Sequence, residues 1–395
     1  MQNLHQNRIL SFPYSKLAEL TRANDWFQSF VPFVMGCVYL WLDWFEFTPS
    51  FYVIGTIALS LITTIGFASM GYFINEFFDK ECDFKAGKVN KLAHLPIKWQ
   101  SLLLAGILVV TFLPWIWLPK NQFSVFLIAI QIGLFLLYSL PFPRFKEHPY
   151  LSLLLDSLYA YTLPLILSFH TFSILKQSQT YPSWFYFFIV AATFIGIRNI
   201  LTHQIKDVFK DAAAGLQSLP MLIGVNKTQN LLRLVFTYEL FFMSISLFVF
   251  SLKFWFVFFV LLAYLIFALK VFKENNLNEG SSDFYLEINK AYNIVFPFLT
   301  LLMLVVKWPI TLVYLLFHAF FLVPFNVYRF ILSIVIPFLI KIRIRIHSLV
   351  VTDLRNLISV LVNYPIYFIF RIVGIDLKKE GTSALGYFRK RRGVK

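Results

Sequence analysis

The chain has 395 residues, of which 58% are hydrophobic and only 14% are charged. This composition argues against a water-soluble globular protein, because soluble domains are typically about 45–50% apolar. Lys and Arg outnumber Asp and Glu by 35 to 20, a formal net charge of +15. We assign the excess to membrane topology rather than to a nucleic-acid partner, since basic residues fall in alternate loops. Cys37 and Cys82 have no paired spacing and predict neither a disulfide nor a zinc site.

The apolar residues form repeated runs of about 18 to 25 residues, the length that a helix needs to cross a hydrocarbon core. We therefore expect an all-α polytopic membrane protein with nine spanning helices. The predicted spans are 26–46, 52–78, 99–118, 122–140, 150–169, 182–202, 228–250, 253–272 and 290–307.

Basic residues mark every second loop. The loops 79–98, 141–149 and 203–227 are rich in lysine and arginine, whereas the intervening connections hold little beyond Lys120, Lys176 and Lys253. Cytoplasmic loops accumulate such residues. The pattern predicts a multi-pass protein of a bacterial inner membrane, with the N-terminal segment 1–22 in the cytoplasm.

The region 308–395 has a different character from the spans that precede it. Its apolar stretch is interrupted by Pro324, Asn326 and Arg329, and it ends in a basic tail over 389–395. We expect one further span or helices that lie in the membrane interface. The predicted division is thus 1–22, a membrane domain 23–307, and a C-terminal extension 308–395.

Polar residues form a stripe at the end of the second span. Asn75, Asp79 and Asp83 are spaced by four and share one helix face. Carboxylates that border a membrane are energetically costly and usually mark function. Oxygen ligands of this kind suit Mg²⁺, which binds one or two carboxylates together with substrate phosphates. The alternative is a helix end that merely faces water.

A matching stripe ends the sixth span. Asn199, His203, Asp207 and Asp211 are again spaced by four, with Arg198 and Gln204 at adjoining positions. Both stripes lie on the predicted cytoplasmic side. Two carboxylate clusters that grip one diphosphate through divalent cations require this arrangement. The sequence thus predicts Mg²⁺ ligands at Asn75, Asp79, Asp83, Asp207 and Asp211, with the four aspartates as catalytic candidates.

The runs Asn75-Glu-Phe-Phe-Asp79-x-x-x-Asp83 and Asp207-Val-Phe-Lys-Asp211 resemble the two aspartate-rich motifs of the UbiA superfamily of intramembrane prenyltransferases. Their positions after the second and sixth helices agree, and the resemblance covers roughly residues 20–307. It implies a nine-helix bundle around a central cavity. It also implies Mg²⁺-dependent transfer of a prenyl group from a polyprenyl diphosphate to a lipophilic or aromatic acceptor within membrane lipid.

The segment from Tyr138 to Lys146 resembles a third stretch of that family, whose basic residues are expected to hold the diphosphate. Arg144 and Lys146 are the matching positions, and positive-inside topology is their alternative explanation. A basic loop follows the first motif, as it does in the family. The candidate substrate-binding residues are Asn75, Lys85, Lys88, Lys91, Tyr138, Arg144, Lys146, Arg198, Asn199, His203 and Gln204.

The sequence departs from the family pattern at three places. Glu76 replaces the commonest aspartate, and the run from Lys91 to Pro96 replaces an Arg-Pro turn, which bears on acceptor recognition. His203 is unusual between Asn199 and Asp207, and a hydrogen-bonded structural role is favoured for it. Weaker candidates for lining a cavity are Asn24, Asp25, Asp156, Glu239 and Asn293.

The acceptor is left open by these motifs. A quinone-precursor-like aromatic ring is the first choice, and a terpene cyclase or an ether-lipid or chlorophyll-type prenyltransferase is the alternative. An ion-coupled transporter is disfavoured, because transporter sites lie mid-span, whereas these aspartates lie at helix ends.

Overall fold

The computed structural model of the chain describes residues 18–85, 87, 89–178, 180–214, 217–277 and 283–322. Within these ranges all regular secondary structure is helical, which confirms the predicted fold class. Most of the predicted segment 1–22 lies outside the described residues. Lys88 and the predicted interfacial helices and basic tail beyond residue 322 lie outside them as well.

Each predicted span corresponds to a helix of the structure, and most of the predicted ends lie within a few residues of the observed ones. They are α1 (Ala23–Trp44), α2 (Phe51–Phe78), α3 (Lys80–Lys85), α4 (Ile97–Phe112), α5 (Gln122–Ser139), α6 (Pro149–Leu175), α7 (Ser183–Ala214), α8 (Leu219–Ile223), α9 (Val225–Ser251), α10 (Val257–Leu277), α11 (Ala291–Lys307) and α12 (Pro309–Leu322). By length and composition, α2, α4 with its 3₁₀ turn, α5, α6, α7 and α9 can cross a membrane. The apolar parts of α10, α11 and α12 are shorter.

Helix α1 is enclosed by the rest of the bundle. Every residue from 31 to 43 is buried, and the helix packs against α2, α6, α11 and α12. Trp41 illustrates the packing, since its ring centroid lies 5.0 Å from that of Phe169 and 5.6 Å from that of Trp184. The predicted first span is therefore surrounded by protein.

The buried side chains form two hydrophobic cores. The larger core surrounds α1 and includes side chains of α7, α9, α10 and α11. The smaller core lies between α2, α4, α5 and the middle of α6. Thr63 joins two helices of the smaller core, because its hydroxyl donates to the Thr111 carbonyl at 2.8 Å and accepts from the Trp115 indole at 2.8 Å.

The end of the bundle where α1 stops is held by charge and aromatic contacts. Lys307 donates to the buried Asp43 at 3.1 Å, and its ammonium lies 4.4 Å from the Trp308 ring centroid. Lys253 lies 4.6 Å from the Trp44 ring centroid. Tryptophan and lysine at helix ends are typical of the membrane–water interface.

Helix α12 packs onto the bundle beyond the predicted boundary at residue 307. His318 is fully buried and lies 3.2 Å from the Tyr39 hydroxyl of α1. Its ring also meets that of Phe298 edge-on at 5.8 Å. The start of the predicted extension is thus part of the same packed unit.

A buried ion pair joins α7 to α9. The fully buried Arg198 donates through its Nε atom to Glu239, whose other oxygen accepts from the Tyr292 hydroxyl at 2.7 Å. Arg198 also donates to the Tyr285 carbonyl at 2.7 Å and to the Asn289 side chain at 2.8 Å. The guanidinium is therefore compensated by groups from three parts of the bundle.

Removal of one member of this pair should destabilise the protein strongly. We expect Glu239→Leu to cost about 3–5 kcal/mol, because Arg198 is then a buried charge without its counter-ion. The double variant Arg198→Met, Glu239→Leu should recover part of that loss, since a packed apolar pair removes the desolvation cost. Thermal unfolding in detergent measures both. Equal stability of Glu239→Leu and wild type would contradict the assignment.

Candidate active site at two aspartate-rich helix ends

The first acidic stripe continues through the end of α2 into α3. The Asp79 amide donates to the Asn75 carbonyl at 3.0 Å, and the Asp83 amide donates to the Asp79 carbonyl at 2.8 Å. The helical spacing of four is thus maintained although α2 ends at Phe78. Asn75, Asp79 and Asp83 lie on one face, as the spacing predicts.

Two basic side chains converge on Asp79. Lys146 donates to its Oδ1 atom and also to the Asn75 Oδ1 atom at 3.2 Å. Arg144 donates to the same Asp79 oxygen at 3.1 Å and to the Cys82 sulfur at 3.0 Å. Burial lowers the pKa of Lys146, and the neighbouring Asp79 opposes that shift. The segment after α5 therefore places two cations beside the first motif.

Asn90 holds Asp83 in place. Its side-chain amide donates to the Asp83 Oδ2 atom at 2.9 Å and to the Glu76 carbonyl at 2.8 Å. Its own oxygen accepts from the Ala93 amide at 3.0 Å, and the residue is only 4% exposed. Sequence reasoning missed this residue, because a single asparagine in a loop carries no periodic signal.

Glu76, which replaces the commonest aspartate of the family motif, is bound by Arg22, the residue that precedes α1. The Arg22 guanidinium donates to Glu76 at 2.9 Å and to Asp25 at 2.7 Å, and lies 5.5 Å from the Tyr72 ring centroid. Glu76 is nearly buried, so Arg22 compensates its charge. This contact fastens the start of α1 to the first motif.

The second acidic stripe lies on α7. Asp211 is buried, Asp207 is half-buried, and His203 is exposed. Gln204 lies on a neighbouring face of α7 and links this helix to α6 and α8. Its amide donates to the Ser152 hydroxyl at 3.4 Å, and its oxygen accepts from the Leu219 amide at 3.4 Å. Helix α3 of the first motif contacts α7. The structure thus brings the two motifs to the same end of the bundle.

Asn199 begins the second stripe and is bound within the bundle. Its amide donates to the Tyr161 hydroxyl at 2.6 Å, and its oxygen accepts from Arg198 at 2.9 Å and Asn289 at 3.1 Å. These contacts use the polar atoms of Asn199 and most donors of Arg198. Both residues therefore join helices in this structure.

Tyr138 lies in the last turn of α5, ahead of the segment that brings Arg144 and Lys146 to the first motif. Its ring meets that of Tyr159 of α6 edge-on at 5.4 Å. The predicted contact residue of the third family segment thus lies where α5 meets α6.

The lysines of the loop after α3 are more peripheral. Lys85 is exposed, and Lys91 lies 3.3 Å from Glu19 with about half of its side chain exposed. Lys80 instead donates to Gln100 at 2.7 Å, and Gln100 donates to the carbonyls of Leu92 and Leu95. Gln100, near the start of α4, therefore holds the loop between α3 and α4 in place through these hydrogen bonds.

The carboxylate oxygens of the two motifs fit Mg²⁺ that also binds the phosphate oxygens of a ligand. In the described ranges, no group of three or more His, Cys, Asp or Glu side chains is assembled to hold a metal by itself. Each motif instead offers two aspartates, and Mg²⁺ is commonly held by one or two carboxylates together with substrate phosphates and water.

A family model described as the UbiA prenyltransferase family matches residues 29–294. The chain belongs to this family. The match includes both aspartate-rich motifs and the segment of Tyr138, Arg144 and Lys146. Together with the apolar helices, it identifies the chain as an integral, multi-pass membrane protein. No curated protein sequence matches the chain significantly.

Solved structures of UbiA homologues share the fold. A UbiA homologue from Archaeoglobus fulgidus bound to GPP and Mg²⁺ has 16% sequence identity and a TM-score of 0.52, with 72% of this chain and 99% of that chain covered. The structure of the same homologue bound to DMAPP and Mg²⁺ has 17% sequence identity and a TM-score of 0.50, with 72% of this chain and 98% of that chain covered. An apo homologue from Aeropyrum pernix K1 has 12% identity and a TM-score of 0.51, with 70% and 97% covered.

Asn90→Ala should release the loop that follows the first motif. The buried Glu76 carbonyl and the Ala93 amide lose their partner, at a local cost of about 1–3 kcal/mol. Hydrogen exchange of the Ala93 amide should therefore be faster than in wild type. Lys91→Ala is the control, since its side chain is half-exposed and should leave the exchange unchanged. Unaltered exchange in Asn90→Ala would contradict the assigned role.

Proposed function

We propose that the chain transfers a prenyl group from a polyprenyl diphosphate to a lipophilic or aromatic acceptor in the membrane. One observation carries this proposal. Two aspartate pairs, Asp79 with Asp83 and Asp207 with Asp211, lie at one end of the bundle on helices that contact each other. Arg144 and Lys146 lie beside the first pair.

The proposed cofactor is Mg²⁺, held by the four aspartates with Asn75. When bound, Mg²⁺ neutralises the diphosphate and favours its departure. Each aspartate pair can contribute carboxylate oxygens while the phosphate supplies the others. The complexes of the Archaeoglobus fulgidus homologue with Mg²⁺ and the prenyl diphosphates DMAPP and GPP support this choice.

Arg144 and Lys146 are proposed to stabilise the leaving diphosphate. As the carbon–oxygen bond of the donor breaks, negative charge grows on the phosphate oxygens. Both cations donate to Asp79, one of the aspartates proposed to bind the diphosphate through Mg²⁺. Their stabilisation increases toward the transition state, which is the condition for faster reaction.

Tyrosine rings near the motifs are proposed to shield the allylic carbon from water. Tyr72, Tyr138 and Tyr159 belong to three different helices, and the rings of Tyr138 and Tyr159 meet edge-on with their centroids 5.4 Å apart. Ring faces can stabilise a cation by about 0.5–2 kcal/mol each when desolvated. The rings therefore suit a donor whose carbon becomes electron-poor as the diphosphate leaves.

We propose that the motif end of the bundle faces the cytoplasm of a bacterial inner membrane. The loops at that end carry Lys80, Lys85, Lys91, Arg144 and Lys146, whereas the opposite end carries fewer basic residues. The positive-inside rule supports this orientation.

Substitution of either motif should abolish donor activation. We expect Asp79→Asn and Asp207→Asn each to lower Mg²⁺-dependent diphosphate release from farnesyl diphosphate by about 10²-fold or more, because charge stabilisation is lost in the transition state. Glu287→Gln is the matched control, since this acidic residue lies near the same end and pairs only with surface lysines among the described residues. Wild-type rates in both aspartate variants would overturn the proposal.

Removal of the metal should have the same effect on the wild-type protein. EDTA should stop diphosphate release, and an excess of Mg²⁺ should restore it, because the four aspartates cannot hold a diphosphate without cations. In Asp79→Asn, a higher Mg²⁺ concentration should be needed for half-maximal rate. Release that is insensitive to EDTA would argue against the proposed cofactor.

A further inference from the structure

His203 differs in chemistry from the rest of the second acidic stripe. It lies on α7, which is one continuous helix, one turn before Asp207 and two turns before Asp211. Residues four positions apart share one face of a helix. His203 therefore lies on the same face as the two aspartates of the second motif.

The imidazole of His203 is exposed and has no hydrogen-bond partner among the described residues. A hydrogen-bonded structural role, which the sequence favoured, is therefore not what the structure shows. Two other histidines of the apolar helices are bound. His170 of α6 lies 2.7 Å from the Tyr181 hydroxyl. His318 of α12 lies 3.2 Å from the Tyr39 hydroxyl. His203 differs from both, since its ring nitrogens are available to a ligand.

The first stripe has an oxygen donor at the corresponding position. Asn75 lies one turn before Asp79, as His203 lies one turn before Asp207. The Asn75 side-chain oxygen accepts from Lys146 at 3.2 Å. The first stripe therefore offers only oxygen ligands, whereas the second offers an imidazole nitrogen together with carboxylate oxygens.

Oxygen and nitrogen ligands select different divalent cations. Carboxylate, carbonyl and water oxygens suit Mg²⁺, which is a hard cation. Imidazole suits ions of the first transition series, and Co²⁺ and Zn²⁺ bind mixed nitrogen and oxygen ligands more tightly than the earlier ions of that series do. The two stripes of this chain are thus suited to unlike ions.

From these ligand sets we infer that His203 is a metal ligand, and that the second motif binds a transition ion of the Co²⁺ or Zn²⁺ type while the first binds Mg²⁺. The inference rests on the proposed function, because the diphosphate supplies the ligands that the side chains leave open. His203 and Asp207 share the ion, since two ligands one turn apart on a helix reach the same metal.

The assignment is compatible with activity in Mg²⁺ alone. Asp207 and Asp211 bind either kind of ion, so an excess of Mg²⁺ also fills the second motif. A transition ion binds there at lower concentration, because the imidazole adds a bond that Mg²⁺ does not favour. His203 therefore sets the preference of the second motif between two ions.

The affinities for two ions test this preference. Full-length protein in detergent is titrated with Co²⁺ and, separately, with Mg²⁺ in the presence of inorganic diphosphate, and binding is followed by calorimetry. We expect His203→Asn to weaken Co²⁺ binding by about tenfold or more and Mg²⁺ binding by much less, because oxygen replaces nitrogen. His94→Asn is the control, since this histidine is exposed in the loop after α3. It should keep both affinities. An equal loss for both ions in His203→Asn, or no loss for either, would overturn the inference.

X-ray absorption at the cobalt edge tests coordination directly. The ring atoms of a bound imidazole add a characteristic outer-shell scattering, which does not depend on activity. We expect this scattering in the wild-type protein and in Asp79→Asn, which changes only the first motif, and its loss in His203→Asn. A merely structural role of His203 would not produce it. Cobalt bound to the wild-type protein without imidazole scattering would refute the assignment.

Failure of the proposed function gives a different result. If the wild-type protein releases no diphosphate from farnesyl diphosphate with either Mg²⁺ or Co²⁺, prenyl transfer is refuted. The titration with inorganic diphosphate and the cobalt spectrum still decide the role of His203. If diphosphate is released but His203→Asn binds Co²⁺ as tightly as the wild type, only the inference about His203 fails.

Discussion

Charge compensation at the membrane border is the constraint on which this structure depends. Acidic side chains at the end of α2 would be costly next to hydrocarbon without partners. Each has a specific partner from a distant segment: Lys146 and Arg144 for Asp79, Asn90 for Asp83, and Arg22 for Glu76. The contacts that neutralise the motif therefore also fix the loops around it.

Much of the fold could be predicted from sequence, because hydrophobic runs of spanning length and the helical period are local properties. The stripes at Asn75, Asp79 and Asp83, and at Asp207 and Asp211, needed only a spacing of four. The family resemblance added Arg144 and Lys146, which the structure places beside Asp79. The predicted spans agree with helices of the structure for the same reason, and six of the described helices are long and apolar enough to cross a membrane.

The remaining features depend on which segments meet in space. Asn90 and Arg22 occupy positions with no periodic signal, and their roles follow only from the folding of a loop and a helix start onto α2. Arg198 was predicted to bind substrate because it adjoins the second stripe. In the structure its guanidinium donates to Glu239, to Asn289 and to the Tyr285 carbonyl, and these neighbours could not be read from the sequence. The position of a residue along one helix does not show which groups of other segments accept its hydrogen bonds.

The enclosure of α1 has a consequence for biosynthesis. Helix α1 precedes α11 and α12 along the chain, yet it packs against both in the finished protein. Its native neighbours on that side are absent until α11 and α12 have been synthesised. Asp43 likewise gains its ion-pair partner only with Lys307, more than 260 positions later in the chain. The packing around α1 is therefore completed only after α11 and α12 have entered the membrane.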